Sequence, residues 1–398
     1  MMLNKTKARI AVTPLKRKRV APRATRSELL SLGLSFLLLV WAWAGTQGVA
    51  ADWPTHRGNA ARTGNVDGQP GPTVPKVLWA HVSTDHYLAS PVLAGDNVIV
   101  SALGAFNSPV MHALAVAPSA KTRITWTASS PYLKLPTVCA PAYADGLLVF
   151  GDGMHQTDGA IVHAIRGDKG LPVWQYPIPG TLVHLEGAPT VANGKVYIGG
   201  GNAGVICLDG SKLQLEGKPI DLAAAQRLLD EKWKKLSEKY EQEKKVDPDF
   251  AIPPSIDALP KPTPTKVWQA GLNQWHVDAP LAVVGNRVLV CSAFLEAEKV
   301  GKRALLALDA SNGNVAWSVD VAHNPWAGAT VSGDVAIVGS SNIRLETKDV
   351  PRGRGEVVAV GTNDGKPLWR REIPGGVVAA IAAAGDRAIF TATDGKVR

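Results

Sequence analysis

The chain has 398 residues and a formal net charge of +9. Nine Lys or Arg and no acid fall within residues 1–26, and removing that segment together with Glu28 leaves 34 basic against 33 acidic residues. The basic balance therefore belongs to the N-terminus and excludes nucleic-acid binding as a reading of the rest, which is long enough for one large domain.

In chain order, the basic stretch is followed by an apolar run, Leu29 to Ala44 (LLSLGLSFLLLVWAWA). Basic residues, an apolar core of about 15 residues and small residues after it predict a secretory signal over 1–51. Cleavage would follow Ala44 or Ala51. The alternative is an uncleaved signal anchor, because the run is nearly long enough to span a bilayer. No Cys sits at the boundary, so lipidation there is not expected. The product is expected to be exported, periplasmic or envelope-associated, and to meet the membrane only through this segment. Residues 52–75 are polar, with Gly, Pro and Asn, and predict an extended arm.

Two elements then alternate. The first is an apolar run, a tight Gly/Asp/Asn turn and a second apolar run. It begins at Ala89, Cys139, Gly187, Asp278, Gly328 and Val378, and it carries a β-hairpin signature. The second is a strand, a polar turn and a strand ending in Trp. It occurs as ALDASNGNVAW (Ala307–Trp317), AIRGDKGLPVW (Ala164–Trp174) and AVGTNDGKPLW (Ala359–Trp369), more loosely at Ala113–Trp126, and as a fragment at Cys207–Gly210. Gly170, Gly313 and Gly365 each lie four residues before the Trp.

The marker residues Trp79, Trp126, Trp174, Trp268, Trp317 and Trp369 are separated by 47, 48, 94, 49 and 52 residues. Four short strands every ~40–50 residues is the spacing of a propeller blade. The fold class expected is all-β, a β-propeller of four-stranded blades with one α-helical insertion; a β-sandwich leaves the period unexplained. Trp on an outer strand would fill the wide rim between blades. Residues 76–82 (KVLWAHV) predict a lone outermost strand that completes the last blade. Six units are visible over 76–398. The final one stops where a third strand should begin, so an incomplete C-terminus is expected, with seven or eight blades in an intact ring.

The pattern A-x-D-x-x-x-G-x-x-x-W, met fully at 307–317 and partly at 164–174 and 359–369, resembles the quinoprotein-type (PQQ-like) propeller repeat. The segment DWPTHRGNAARTG (Asp52–Gly64) is similar to the opening of exported proteins of this type. WD40 and kelch signatures are absent. The resemblance implies two functions. One is a BamB-type, non-enzymatic scaffold with a protein partner in the envelope. The other is an oxidoreductase acting on alcohols or sugars with PQQ and calcium. Such enzymes typically carry adjacent cysteines near the cofactor, whereas Cys139, Cys207 and Cys291 are never adjacent and sit inside strand patterns as small core residues. There is no G-x-S-x-G, H-E-x-x-H or P-loop; GGGNAG (Gly199–Gly204) predicts a turn between strands.

The third unit is interrupted over 218–265. Asp221–Val246 has helix formers throughout and no Gly or Pro, with Leu222, Leu229, Trp233, Leu236 and Tyr240 on one stripe and Asp221 placed as N-cap. A Pro-rich return follows. The helix is expected to pack under the propeller or, through Leu229, Trp233, Leu236 and Tyr240, to dock a partner. Its position between strands three and four puts it opposite the usual ligand face. Charged loops from Phe294 and from Ser341 lie on the ligand face and read as solvated.

Segments entering an innermost strand carry His with an acid nearby: Asp85 with His86, His184 with Glu186, and His276 with Asp278. His323 stands without the acid. Such segments converge on the mouth of a propeller, where imidazoles and carboxylates can bind a divalent metal or a polar ligand. The alternative role is hydrogen bonding between blades.

Overall fold

A computed structural model describes residues 53–66, 68, 72–155, 157–343 and 346–398. The signal segment expected over 1–51 lies outside the described residues. Five antiparallel sheets follow one another along the described residues, each built on a four-stranded meander from inside to outside, with a fifth short strand added in the first and third. Blade I holds Val92–Ala94, Asn97–Leu103, Pro109–Ala115 and Ile124–Ser129, and blade II holds Ala142–Ala144, Leu147–Gly151, Ala160–Arg166 and Pro172–Ile178. Blade III holds Thr190–Ala192, Lys195–Gly199, Val205–Leu215 and Thr263–Ala270. Blade IV holds Ala282–Val284, Arg287–Leu295, Val300–Asp309 and Val315–Asp320. Blade V holds Ala329–Ser332, Val335–Ser341, Gly355–Gly361 and Pro367–Ile373, and blade VI the pair Ala382–Ala384 and Arg387–Ile389. Innermost strands of successive blades are neighbours in chain order. The fold is a β-propeller.

The innermost hairpins are tight because their turns tolerate positive φ. Asp145-Gly146 and Asn193-Gly194 hold it at both turn positions (51° and 79°, 51° and 70°), the geometry that matches the twist of the flanking strands. The core is divided among the seams between blades. Val149, Val162 and Trp174 of blade II pack with Ile198, Ile206 and Leu208 of blade III, and corresponding clusters fill the other seams.

The marker tryptophans lock each seam from the rim. Trp126 Nε1 donates to the Gly167 carbonyl at 2.9 Å, Trp268 to Ala310 at 3.0 Å and Trp317 to Thr362 at 2.9 Å. In each case the acceptor lies in the turn between strands three and four of the next blade. Trp174 packs beside Gly210, where the insertion replaces that turn, and its Nε1 has no partner among the described residues. Residues 76–82 form no strand, contrary to expectation. Trp79 nevertheless behaves as a marker: its Nε1 donates to Val116 of blade I at 2.9 Å, and Arg123 lies 4.3 Å from its ring centroid.

The segment expected as a plain extended arm is instead woven through the inner strands. Backbone N–H groups of Leu93, Tyr143, Val283, Val331 and Ala383, one from the innermost strand of five different blades, donate to carbonyls of Trp53, Pro54, Ala60, Ala61 and Thr63. Arg62 serves blade III. It is 1% exposed, and its guanidinium donates to the carbonyls of Leu281, Ala188 and Pro189 and to Thr190 Oγ1. Turns at Arg57 and Gly58, both with positive φ, bend the segment so that it can meet strands on opposite sides. Inner strands expose unpaired backbone groups toward the axis, and this peptide satisfies them.

The insertion extends blade III. Val205–Leu215 runs beyond the sheet, pairs back with Lys218–Asp221 and leads into helix α1, Leu222–Val246. Asp221 caps it, its side chain accepting from Ala224 N at 2.7 Å. Ala225 and Leu229 of the helix are buried; α1 packs against the outer strand of blade II, strand three of blade III and the added Lys218–Asp221 strand, and Arg166 pairs with Asp230 at 2.9 Å. Leu229 is thus an anchor to the propeller, while Trp233, Leu236 and Tyr240 are half-buried. Among the described residues no helix is long and apolar enough to cross a membrane.

Candidate functional site

Three segments from different blades meet at one end of the propeller. The first is the loop after strand two of blade II, which carries His155. The second is the segment entering blade III, with His184 and Glu186. The third enters blade IV, with His276 and Asp278. Each is held by its backbone. Val183 and Leu185 are buried on either side of His184, so the alternating pattern turns its imidazole the other way. His276 is fixed by an exchange with blade IV, Ala293 N donating to its carbonyl at 2.8 Å. Val277 exchanges backbone hydrogen bonds with Gly201 at 3.0 and 3.1 Å. That approach needs glycine: a Cβ on Gly199 would lie 2.7 Å from the Val277 carbonyl oxygen. The Gly-rich turn thus lets the His276 segment lie flat against it. The loop of His155 is tied in by its backbone N–H, which donates to Glu186 Oε1 at 2.6 Å.

The imidazoles of His155, His184 and His276 form a triangle with ring centroids 5.2, 5.3 and 6.3 Å apart. One donor atom from each, with one oxygen of Asp278, all fall within 4.8 Å of one another. His276 Nδ1–H donates to Asn202 Oδ1 at 2.7 Å, since the amide oxygen can only accept. This leaves the Nε2 lone pair facing Asp278 Oδ2 at 2.8 Å, an approach not aligned as a hydrogen bond. His184 is fully buried, and neither of its ring nitrogens has a hydrogen-bond partner among the described residues. Its Nδ1 lies 3.5 Å from Asp278 Oδ1 and 3.6 Å from Glu186 Oε1.

Burial lowers the His184 imidazole; Asp278 opposes this, and His276 and His155 add to it. Glu186 is raised by burial and by Asp278 beside it.

The cluster opens into a cavity of about 900 Å3. Its far wall comes from the two segments expected as solvated loops. Strands Arg287–Leu295 and Val300–Asp309 continue into a long hairpin, so Phe294, Glu296, Glu298 and Arg303 stand over the mouth; Asn342 and Glu346 come from the other. His323 and Trp326 line the same cavity. Burial lowers the His323 imidazole.

His184, Glu186, His276 and Asp278 are therefore brought together, and His323 faces the same space. Asp85 and His86 are elsewhere. Asp85 Oδ2 lies 3.0 Å from His112 Nε2, whose other nitrogen meets Thr127 Oγ1 at 2.9 Å. The same arrangement recurs in blade II with Asp152, His163 and Gln175. Asp85 is thus half of a clamp that ties strands three and four to a loop, and His86 is exposed on a short strand paired with Leu103. His155 and Asn202 were missed. The signal for His155 was its place in a loop joining strands two and three, where the charged loops of blades IV and V also emerge. All three cysteines are free and buried, with thiols pushed up to about 12 by burial.

The family model described as "Outer membrane protein assembly factor BamB" matches residues 74–221, 254–350 and 306–398. The chain belongs to this BamB-type family. The match resumes only beyond α1, so the helix and the start of its return are additions to the shared scaffold. Among solved structures, BamB from Moraxella catarrhalis is 14% identical with a TM-score of 0.47, over 80% of this chain and 71% of its own. Quinohemoprotein alcohol dehydrogenase ADHIIG from Pseudomonas putida HK5 is 12% identical with a TM-score of 0.41, over 87% of this chain and 54% of its own. Quinohemoprotein alcohol dehydrogenase from Comamonas testosteroni is 14% identical with a TM-score of 0.36, over 87% and 71%. No curated protein matches the sequence.

Proposed function

We propose that this BamB-type protein is a non-enzymatic binding propeller of the cell envelope. Its mouth would take a basic, partly apolar segment of a partner protein, and a role in outer-membrane protein assembly fits the family. The observation that carries the reading is the lining of the mouth. Glu186, Asp278, Glu296, Glu298 and Glu346 contribute five carboxylates and Phe294 and Trp326 two aromatic faces. Among the described residues that line the mouth, the one guanidinium, Arg303, is bonded to Glu296.

The same lining argues against PQQ. A tricarboxylate quinone would meet, among the described lining residues, five carboxylates and one already paired guanidinium, so these residues do not fit it. The half-buried face of α1, with Trp233, Leu236 and Tyr240, offers a second contact on a different part of the propeller.

Pull-down from envelope extracts tests the reading. Wild-type protein should retain a partner that salt releases, and Glu296→Lys with Glu298→Lys should lose it. Removal of 222–253 should weaken capture if α1 contributes. A saturable, calcium-dependent rise in melting temperature with PQQ, accompanied by dye-linked alcohol oxidation, would replace this reading with an oxidoreductase.

A further inference from the structure

We propose that His155, His184, His276 and Asp278 form a binding site for a divalent transition-metal ion of the zinc class. The donor set is three imidazole nitrogens and one carboxylate oxygen, from three segments that meet only in the folded propeller. Imidazole-rich sets with one carboxylate suit zinc and its neighbours; hard cations such as calcium prefer oxygen alone. Calcium, the ion that would accompany a quinone, is therefore poorly matched here.

Two unsatisfied features point into the cluster. The first is His276. Its proton is committed to Asn202 through Nδ1, so Nε2 and the Asp278 carboxylate present lone pairs to each other at 2.8 Å. Two acceptors in that arrangement need either a proton shared between them or a cation beside them. An imidazole whose far nitrogen donates to a side-chain carbonyl is also the usual support for a metal ligand. The second is His184, which has no hydrogen-bond partner among the described residues on either nitrogen although it is fully buried. Buried polar atoms without partners are uncommon and call for an explanation such as an ion. A proton shared between His276 and Asp278 would satisfy that pair but would leave both nitrogens of His184 without a partner; a metal ion satisfies the pair and one nitrogen of His184.

Geometry and charge agree with this assignment. Four ligands around an ion with bonds of about 2.0–2.1 Å stand roughly 3.3 Å apart. His276 Nε2 lies 2.8 Å from Asp278 Oδ2 and His184 Nδ1 lies 3.5 Å from the other oxygen, Oδ1, while the four donor atoms all fall within 4.8 Å of one another, so the set must draw in slightly to close on an ion. Asp278 and the adjacent Glu186 supply two negative charges to offset a divalent ion. Glu186 also holds the His155 loop through its backbone N–H, and His155, the exposed member, closes the set from the mouth. With Asp278 and Glu186 offset by the ion, Glu296, Glu298 and Glu346 are the carboxylates left to face a partner at the mouth.

The test is calorimetric titration of chelator-stripped protein with zinc chloride, followed by cobalt(II) substitution read by visible absorption. One equivalent should bind, cobalt should give the intense bands of a tetrahedral site, and excess calcium should not compete. His155→Ala, at an exposed position that the fold does not need, should weaken zinc binding at least tenfold and remove the zinc-dependent rise in melting temperature. Asn202→Ala should weaken it by about 10–100-fold, as loss of a supporting hydrogen bond does. Folded wild-type protein that binds no equivalent of zinc, or His155→Ala that binds as tightly as wild type, overturns the assignment.

Discussion

Gly313 lies directly beneath the indole of Trp268: a Cβ placed on it would come within 2.6 Å of the ring. The two residues belong to neighbouring blades. Gly170 sits in the same way under Trp126, and Gly365 under Trp317. The two constant features of the repeat therefore touch across three seams, the Gly of one copy under the Trp of the copy in the preceding blade. The first prediction follows. Gly313→Ala meets both a φ of 76° and the ring, whereas Gly285→Ala meets a φ of 56° with nothing within 4 Å. The second should cost about 1 kcal/mol, from backbone strain. The first should cost at least about 2 kcal/mol, as overpacking adds to strain. Denaturant titration of both variants checks this, and equal losses would remove the seam from the explanation.

The N-terminal segment makes a prediction of a different kind. Burial pushes the Arg62 guanidinium down to about 9, yet it remains charged at neutral pH because carbonyls from blades III and IV surround it. Removing such a group strands those acceptors, and each buried acceptor left without a partner costs about 1–3 kcal/mol. Arg62→Ala should therefore destabilise the whole propeller. Arg62→Lys should recover little, since an ammonium cannot reproduce the fork. Thermal unfolding of the two variants measures this; a melting temperature within a degree or two of wild type would contradict the role.

Acid sensitivity should come in part from the same segment. Burial, together with the Arg62 and Arg57 guanidiniums, pushes His56 down to about 4 from an ordinary 6.5. Between those values the unfolded chain binds the proton and the folded one does not. The contribution of His56 to stability is therefore intact above pH 6.5 and is lost progressively as pH falls toward 4. His56→Gln should flatten the stability profile across that window. A variant whose profile runs parallel to wild type from pH 7 to 4 would count against the assignment.

Helix α1 offers a contrast between burial and charge. Leu229 is 4% exposed, and truncating a buried Leu costs about 2–5 kcal/mol. The Arg166–Asp230 pair is open to water on both sides and is worth about 0–1 kcal/mol. Leu229→Ala should thus expose the helix to limited proteolysis, and Asp230→Asn should scarcely change the cleavage rate. The reverse ranking would mean that the ion pair, and not the apolar contact, holds the helix.

The blades themselves were legible because their signals are local. Apolar runs on either side of Asp145-Gly146 or Asn193-Gly194 specify a hairpin within a dozen residues, and the helix from Leu222 declares itself through its stripe and its Asp221 cap. Half of the candidate site was legible for the same reason. His184 with Glu186 and His276 with Asp278 occupy equivalent places in the repeat, so the period alone brings them to one end of the propeller. Asp85 matched that pattern equally well and yet belongs to a clamp with His112. Its neighbourhood depends on which side chain of strand three reaches the loop, and the period does not specify that.

By itself the sequence determined the repeat, its four-stranded unit, the interruption in the third blade and the end of the propeller where the histidines would gather. Only the tertiary structure decided that residues 53–64 thread the inner strands, that Trp79 docks on blade I without forming a strand, and that His155 and Asn202 complete the histidine cluster. The division has a physical cause. Alternation and turn chemistry act between near neighbours and are written into short stretches. The arm and the cluster arise where unpaired backbone groups and side chains from separate blades meet, and those meetings exist only once the seams have packed.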